Sequence, residues 1–573
     1  MTATSILHAL FDFYQRKSSE ANSELPKEGF QKQEIPFIVV LDETGNFVAL
    51  EDTRTENKKS ARSFSVPRGE KRSVNIAANL LWDNIGYVFG IDTKGNPERT
   101  LLQKQAFLGK IEDSFAHSRD LGVEAVLKLL KNNEQIERIF NHPLGQELKE
   151  STGNISFRLA NEQILVCQRP AIAEKLSENS LEKPTSKQVC LVTGKDDNPA
   201  LLHTAIKGVY GAQSVGANIV SFNLDAFKSY GKSQGLNAPV GQNAEFAYTT
   251  ALNYLLAKGS KQRLQIGDAS TVFWAGSLNK MEDVFLDFFG DSLKSQIEPD
   301  GEAIRVLYSS PNTGAFSLDT DKTPFYVLGL APNASRIAIR FWHHSTVAEM
   351  AKNIRCHFDD LEIVHSVNDP KYLTIHAILL ETALLHKYEN IQPNLAGDVI
   401  SSVLSATPYP YTLLTGILRR IRADKRVSYT RAAVLKAVIN RNCRYYNDKE
   451  KQIAVSLDKD NQNIGYRLGR LFAVLEKLQE EANPGINSTI RDRFYGSASS
   501  SPVTVFPYLL KLKNHHIAKL DSKGRGIFLE KEIGEIFQSI TDFPSHMSLA
   551  DQSRFAVGYY HQRQQFYTKR EEN

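Results

Sequence analysis

The pattern of apolar and polar positions changes once along the chain. Up to about residue 345 the apolar runs are short and of strand length. FIVVLDETGNFVALED (37–52) sets two β-rich runs around Glu43-Thr44-Gly45-Asn46 and predicts a hairpin. ISFRLANEQILVCQ (155–168) predicts a second hairpin, closed at Ala160-Asn161. Residues 189–194, 271–276, 304–310 and 325–332 are further strand candidates. In 335–344, Ile337, Ile339 and Phe341 alternate with Arg336, Ala338, Arg340 and Trp342, giving one apolar and one partly basic face. Beyond Asp369-Pro370, an N-cap followed by a first-turn proline, the period becomes helical. Leu413, Leu414, Ile417, Leu418 and Ile421 form one apolar stripe. Ile464, Leu468, Leu471, Phe472, Leu475 and Leu478 form another, and 505–520 and 527–540 also read as helices.

This predicts an α+β protein: an N-terminal mixed α/β region rich in antiparallel strands, then a C-terminal helical bundle. The expected segments are 1–368, a basic helical connector at 369–450, and 451–573. The polar stretches 51–75, 170–188 and 443–463 are expected to be exposed linkers. A chain of 573 residues accommodates two to four domains. Its four cysteines are far apart and form no CxxC pair, which argues against a disulfide framework or a metal cluster and fits a reducing cytoplasm. The first residues read as a short amphipathic helix and not as a signal peptide, and no 18-residue apolar run predicts a membrane span.

The net charge is only +4, so its distribution matters more than its sum. Between 58 and 72, Lys58, Lys59, Arg62, Arg68, Lys71 and Arg72 face a single acid, Glu70. That run is either a solvated loop or a phosphate-neutralising one. Residues 207–243 hold six glycines, four asparagines, three glutamines and three lysines with Asp225 as the single acid. Glycine permits close backbone approach, amides read base edges and lysine meets phosphates, although ordinary turns between strands have a similar composition. Residues 411–446 carry nine basic side chains against Asp424, with Arg419, Arg422 and Arg426 at i, i+3 and i+7 opposite the apolar stripe. A solvated face is the alternative to a backbone-tracking one. Arg467 and Arg470 extend the same series.

The sequence contains no HExxH, CxxC, Walker A loop or dinucleotide fingerprint. His343-His344 and His515-His516 are adjacent pairs that diverge in regular structure. No cofactor, no metal and no catalysis are expected. An unrecognised metal-dependent nuclease, which would need clustered carboxylates, is the alternative.

Several runs together resemble the large subunit of the type I-C (Csd or Dvulg subtype) CRISPR Cascade. They include LLWDNIGYVFGID (80–92), CLVTG (190–194), residues 205–241, QIGDASTVFWA (265–275), YVLGLAPNASRIAIRFWH (326–343), residues 466–512 and GYYHQRQ (558–564). The resemblance implies an RNA-guided complex in which base pairing reads sequence and protein reads a short protospacer-adjacent motif. It implies crRNA, target double-stranded DNA, the backbone, crRNA-processing and small subunits, and a helicase-nuclease as partners. On that reading Lys207, Gln213, Ser214, Asn218, Lys232, Gln234 and Asn237 read the motif, helped by Lys71, Arg72 and Asn75. Lys58, Lys59, Arg62, Arg68, Arg419, Arg422, Arg426, Arg431, Arg467 and Arg470 hold nucleic-acid backbone. The family also makes its C-terminal bundle separately by internal translation. Here the methionines are Met1, Met281, Met350 and Met547, so a start near 450 requires a non-AUG codon, for instance at Val455.

Overall fold

The run Phe37–Leu41 is apolar at every position, and all five residues are buried, because it lies inside a sheet covered on both faces. A computed structural model describes residues 5–20, 23, 25–70, 72, 75–93, 95–116, 119–181, 187–289, 321–448 and 452–567. They fall into two compact units. The first comprises Leu10–Thr204 and Val220–Tyr254; the second comprises Met1–Ala9, Ala205–Ile219 and Leu255–Asn573.

In the first unit β1 (Phe30–Glu34) pairs with β4 (Ser63–Pro67). The main sheet has the order β3-β2-β6-β5, from β2 (Phe37–Leu41), β3 (Phe47–Asp52), β5 (Trp82–Asn84) and β6 (Asn154–Leu159). The hairpin expected at 37–52 is present. Asp42 closes it by accepting from the backbone N–H groups of Thr44 and Asn46, at 2.9 and 2.8 Å. Gly45 sits there at φ 92°, against the Ala125 carbonyl. The second expected hairpin shrinks to a single antiparallel bridge, Arg158 to Leu165, across the turn at Ala160-Asn161. β6 runs parallel to β2, and residues 166–168 turn into a 3₁₀ helix because the Gln168 side chain accepts from the Leu165 N–H. β7 (Gln188–Val189) and β8 (Asp196–Asp197) reduce the candidate at 189–194 to a two-residue ladder. The stretch 51–75 is not a bare linker either, since Arg54 and Ala61 bridge and β4 lies within it. Residues 170–181 are helical.

In the second unit β9 (Arg263–Ile266), β10 (Ala269–Ala275), β11 (Pro324–Asn333) and β12 (Arg336–Thr346) form an antiparallel meander. The strand expected at 304–310 lies outside the described residues. A bulge at Gly329/Leu330 shifts the β11–β12 register, so the simple alternation fails. Ile337 and Phe341 are buried while Ile339 is exposed. The helical part begins earlier than expected, at Val347, where Thr346 caps the helix Val347–Leu361 by accepting from Glu349. Asp369 caps no helix. Its carboxylate accepts from the Ser366 N–H, and Thr374 caps the next helix instead.

The helices expected from periodicity are Tyr411–Asp424, Ile464–Ala482, Phe506–Ala518 and Lys523–Phe537. Every residue of both apolar stripes except Ile464 is buried, in one core that runs from Leu264 to Tyr560. Segment 451–573 therefore shares its core with the helices before it. The expected linker 443–463 is part of that packing: Asn440 exchanges two hydrogen bonds with the backbone of Ile453, at 2.8 and 2.7 Å.

The helices Ile464–Ala482 and Leu549–Tyr567 pack backbone to backbone. A Cβ on Gly465, Gly469 or Gly558 would collide with the carbonyl of Asp551, Phe555 or Tyr466 respectively. Gly469→Ala must push the two helices apart, and is expected to lower stability by about 1–3 kcal/mol as overpacked sites do. Urea denaturation of the variant checks this.

Two buried histidines, His357 and His561, each bond a tyrosine hydroxyl, on Tyr409 at 2.6 Å and Tyr466 at 2.8 Å. Burial, helped by the Arg441 charge, pulls His357 down to about 3. A group held neutral in the folded state makes that state bind fewer protons than the unfolded chain below pH ~6.5, so stability falls as pH drops through that value. By pH ~5 the His357 contribution is about 2 kcal/mol. His357→Gln should flatten the fall in unfolding free energy between about pH 6.5 and 5.

Candidate nucleic-acid interface

The glycine- and amide-rich stretch 207–243 divides between the two units. Residues 205–219 form a closed loop in the second unit, where Ile206 and Ala217 exchange backbone hydrogen bonds at 2.8 and 2.9 Å. Gly208 and Gly216 make the closure possible, with φ of 87° and 95° against the carbonyls of Leu256 and Ile206. Lys207, Gln213 and Ser214 are exposed on this loop, beside the exposed Tyr210 and Val215. Asn218 is different. It is half-buried, and its backbone joins the edge of β12, donating to Ser335 and accepting from Ile337.

In the first unit, residues 229–237 form a tight second loop. Tyr230 and Gly231, both at positive φ, turn the chain so that the Lys232 N–H donates to the Ser229 carbonyl. Asn237 is the pin of this loop. Its amide oxygen accepts from the Ser229 N–H, and its NH₂ donates to the carbonyls of Gln234 and Lys232. An amide bound this way is not available to read a base edge, so Asn237 supports the loop that it was expected to act from. Lys232 and Gln234 are exposed, and Tyr230 at the tip is 98% exposed. Tyr230 was not among the expected residues: its signal, an aromatic beside glycine in a two-residue turn, is one that sequence patterning assigns to turns.

The basic run 58–72 is largely engaged within its own unit. Lys58 meets Glu147 at 2.8 Å. Arg68 reaches the buried Glu245 and the Thr204 hydroxyl. Arg72 pairs with the buried Asp83, donates to the Ala77 carbonyl and lies 4.0 Å from the Tyr87 ring centre. Lys59 and Arg62 have no carboxylate partner among the described residues. Arg62 stacks over Phe64. Asn75 is exposed, and Lys71 lies outside the described residues.

The third constellation changes most. The helix ends at Asp424, and Lys425 takes φ 53°, so Arg426 does not share a helical face with Arg419 and Arg422. It lies instead in the turn that follows. Arg419, Arg422, Lys425 and Arg426 are exposed at this helix end, where the helix dipole favours cations. Arg422 also donates to Gln552. Arg431 is buried: it pairs with Glu381 and Asp424 and donates to the Arg426 carbonyl. Arg467 and Arg470 are buried as well. Arg467 donates to the carbonyl of Asn461, and Arg470 to the carbonyl of Lys459 and the side chain of Gln562. These three arginines fasten helices and a loop together and have no exposed head with which to meet a phosphate. Lys436 and Arg441 are buried too, so with Arg431 three of the nine basic side chains of 411–446 add nothing to the surface charge.

Among the described residues no group of three or more His, Cys, Asp or Glu side chains is placed to hold a metal ion. No described helix is long and apolar enough to cross a membrane.

The family model for the CRISPR-associated protein Cas_Csd1 matches residues 10–567. The chain belongs to the Cas_Csd1 family. Its membership covers both units and the loops described above, and makes the chain a subunit of a CRISPR Cascade complex that works with other Cas proteins. The large subunit of the type I-C complex, which the sequence resembles, is this family. No curated protein matches the chain.

Proposed function

We propose that this Cas_Csd1 member reads the protospacer-adjacent motif of double-stranded DNA without catalysing a reaction. The observation that carries the reading is a pair of pinned loops, on a Cascade subunit, that leave amides and cations exposed. Gln213, Ser214 and Lys207 lie on one, and Gln234 and Lys232 on the other. Amides and lysines of this kind discriminate base edges, each good bidentate pair being worth about 1–3 kcal/mol. The exposed Arg419, Arg422, Lys425 and Arg426 hold phosphate backbone of the opened duplex. In the assembled complex the chain contacts the 5′ region of the crRNA, stabilises the R-loop and supports recruitment of the helicase-nuclease, in the cytoplasm.

The test is selection by the assembled complex from a duplex library randomised beside the target. One motif should dominate. Gln213→Ala and Gln234→Ala should each relax the preference at a distinct position by about tenfold. The same motif preference with both variants would refute base reading by these loops.

A further inference from the structure

Within the first unit is a cavity of about 260 Å³, lined by Arg72, Asn75, the segment from Asn84 to Tyr87, and the start of the helix Pro97–Ser114. Its walls are rich in donors. The amide oxygen of Asn84 already accepts from Gly86 and Tyr87, and that of Asn96 from Arg99, so each of these side chains has its NH₂ left to offer. Arg99 adds a guanidinium, and Asp92 is the one carboxylate among the described residues of the lining. Asn75 and Gln103 carry amides that both donate and accept. Gly86 leaves room for the second of them, since a Cβ there would stand 2.9 Å from the Gln103 oxygen.

Arg72 supplies a different feature. Its charge is met by Asp83, and its Nε donates to the Ala77 carbonyl. The Tyr87 ring, 4.0 Å away, supports one face of the guanidinium. A flat group held on three sides and lining a cavity is a stacking platform more than a free charge. Guanidinium planes and amide edges are how proteins hold single unstacked bases.

We propose that this cavity takes one unstacked nucleotide of a single strand. The base lies on the Arg72 plane, Asn75 and Gln103 meet its edge, and Arg99 with the Asn96 amide meets its phosphate. The site is too small for a duplex groove and its donors suit the acceptor-rich outline of a nucleotide. A nucleotide of the crRNA and one of the displaced DNA strand share this chemistry. The proposal rests on the reading of the chain as a nucleic-acid-binding subunit.

The test uses the full chain with single-stranded RNA and DNA 12-mers, each carrying one 4-thiouracil, cross-linked by light and mapped by mass spectrometry. Cross-links should fall between residues 75 and 103, and the stronger signal, RNA or DNA, names the source. The double variant Asn75→Ala, Gln103→Ala should bind that strand about tenfold more weakly, as loss of one held base does. Its salt dependence should not change, because no charge is removed. Cross-links confined to other segments, or an affinity within about twofold of the parent, would overturn the proposal. Motif selection by the assembled complex is read separately, so failure of the pocket and failure of motif reading are distinguishable.

Discussion

Replacing Arg441 by methionine is expected to lower the unfolding free energy by about 3–5 kcal/mol, the range for breaking a buried ion pair from one side. Arg441 is 2% exposed and donates to the Asp360 carboxylate at 2.9 Å. It also donates to the Ser402 carbonyl at 3.1 Å and covers the Tyr409 ring at 4.2 Å. Asp360 is itself 3% exposed. The variant leaves that carboxylate in the core with Arg444 as its remaining ion-pair partner, and takes the guanidinium away from the carbonyls of Ser402 and Thr407. Coupling Arg441→Met with Asp360→Asn removes both charges and should restore part of the loss, because the desolvation penalty disappears with them. Denaturant unfolding of the parent, the single and the double variant measures both effects. A loss below about 1 kcal/mol in the single variant would mean that the pair offsets its own desolvation poorly enough to be dispensable.

Changing Arg419, Arg422 and Arg426 together to alanine should weaken nucleic-acid binding on the order of a hundredfold at physiological salt, through lost phosphate contacts. The slope of log K against log salt should become shallower by about 1 for each side chain removed. All sequences should suffer alike, since phosphate contacts position and do not specify. The fold should be unaffected, because all three are exposed and only Arg422 has a side-chain partner, Gln552, among the hydrogen bonds described. The measurement is a salt titration of binding to motif-bearing and motif-free DNA. An unchanged slope would place the backbone track elsewhere on the molecule.

These two experiments also separate two kinds of arginine that sequence alone presents as one. Arg419 to Arg444 is a single basic run along the chain. In the folded protein Asp360 and Glu381, far from it in sequence, enter to neutralise Arg441, Arg444 and Arg431. A count of charge along a window cannot anticipate this, because the partners come from other helices. The same holds for Arg467 and Arg470, whose partners are backbone carbonyls of the preceding loop together with Gln562. Asn237 illustrates the converse error. Its amide looked fit for reading bases, and local backbone groups claimed it first.

What the sequence by itself determined is the α+β class, the hairpin at 37–52, the central apolar strands, the helical stripes and the family. Each of these is local, periodic or a long ordered match, so short-range sterics and burial suffice to specify it. The tertiary structure decided which strand β6 pairs with, where the helical part begins, how β12 alternates past its bulge, and which basic side chains reach solvent. Those outcomes depend on partners distant in the chain, whose approach is set by packing and by the cost of leaving a buried charge or carbonyl unmet.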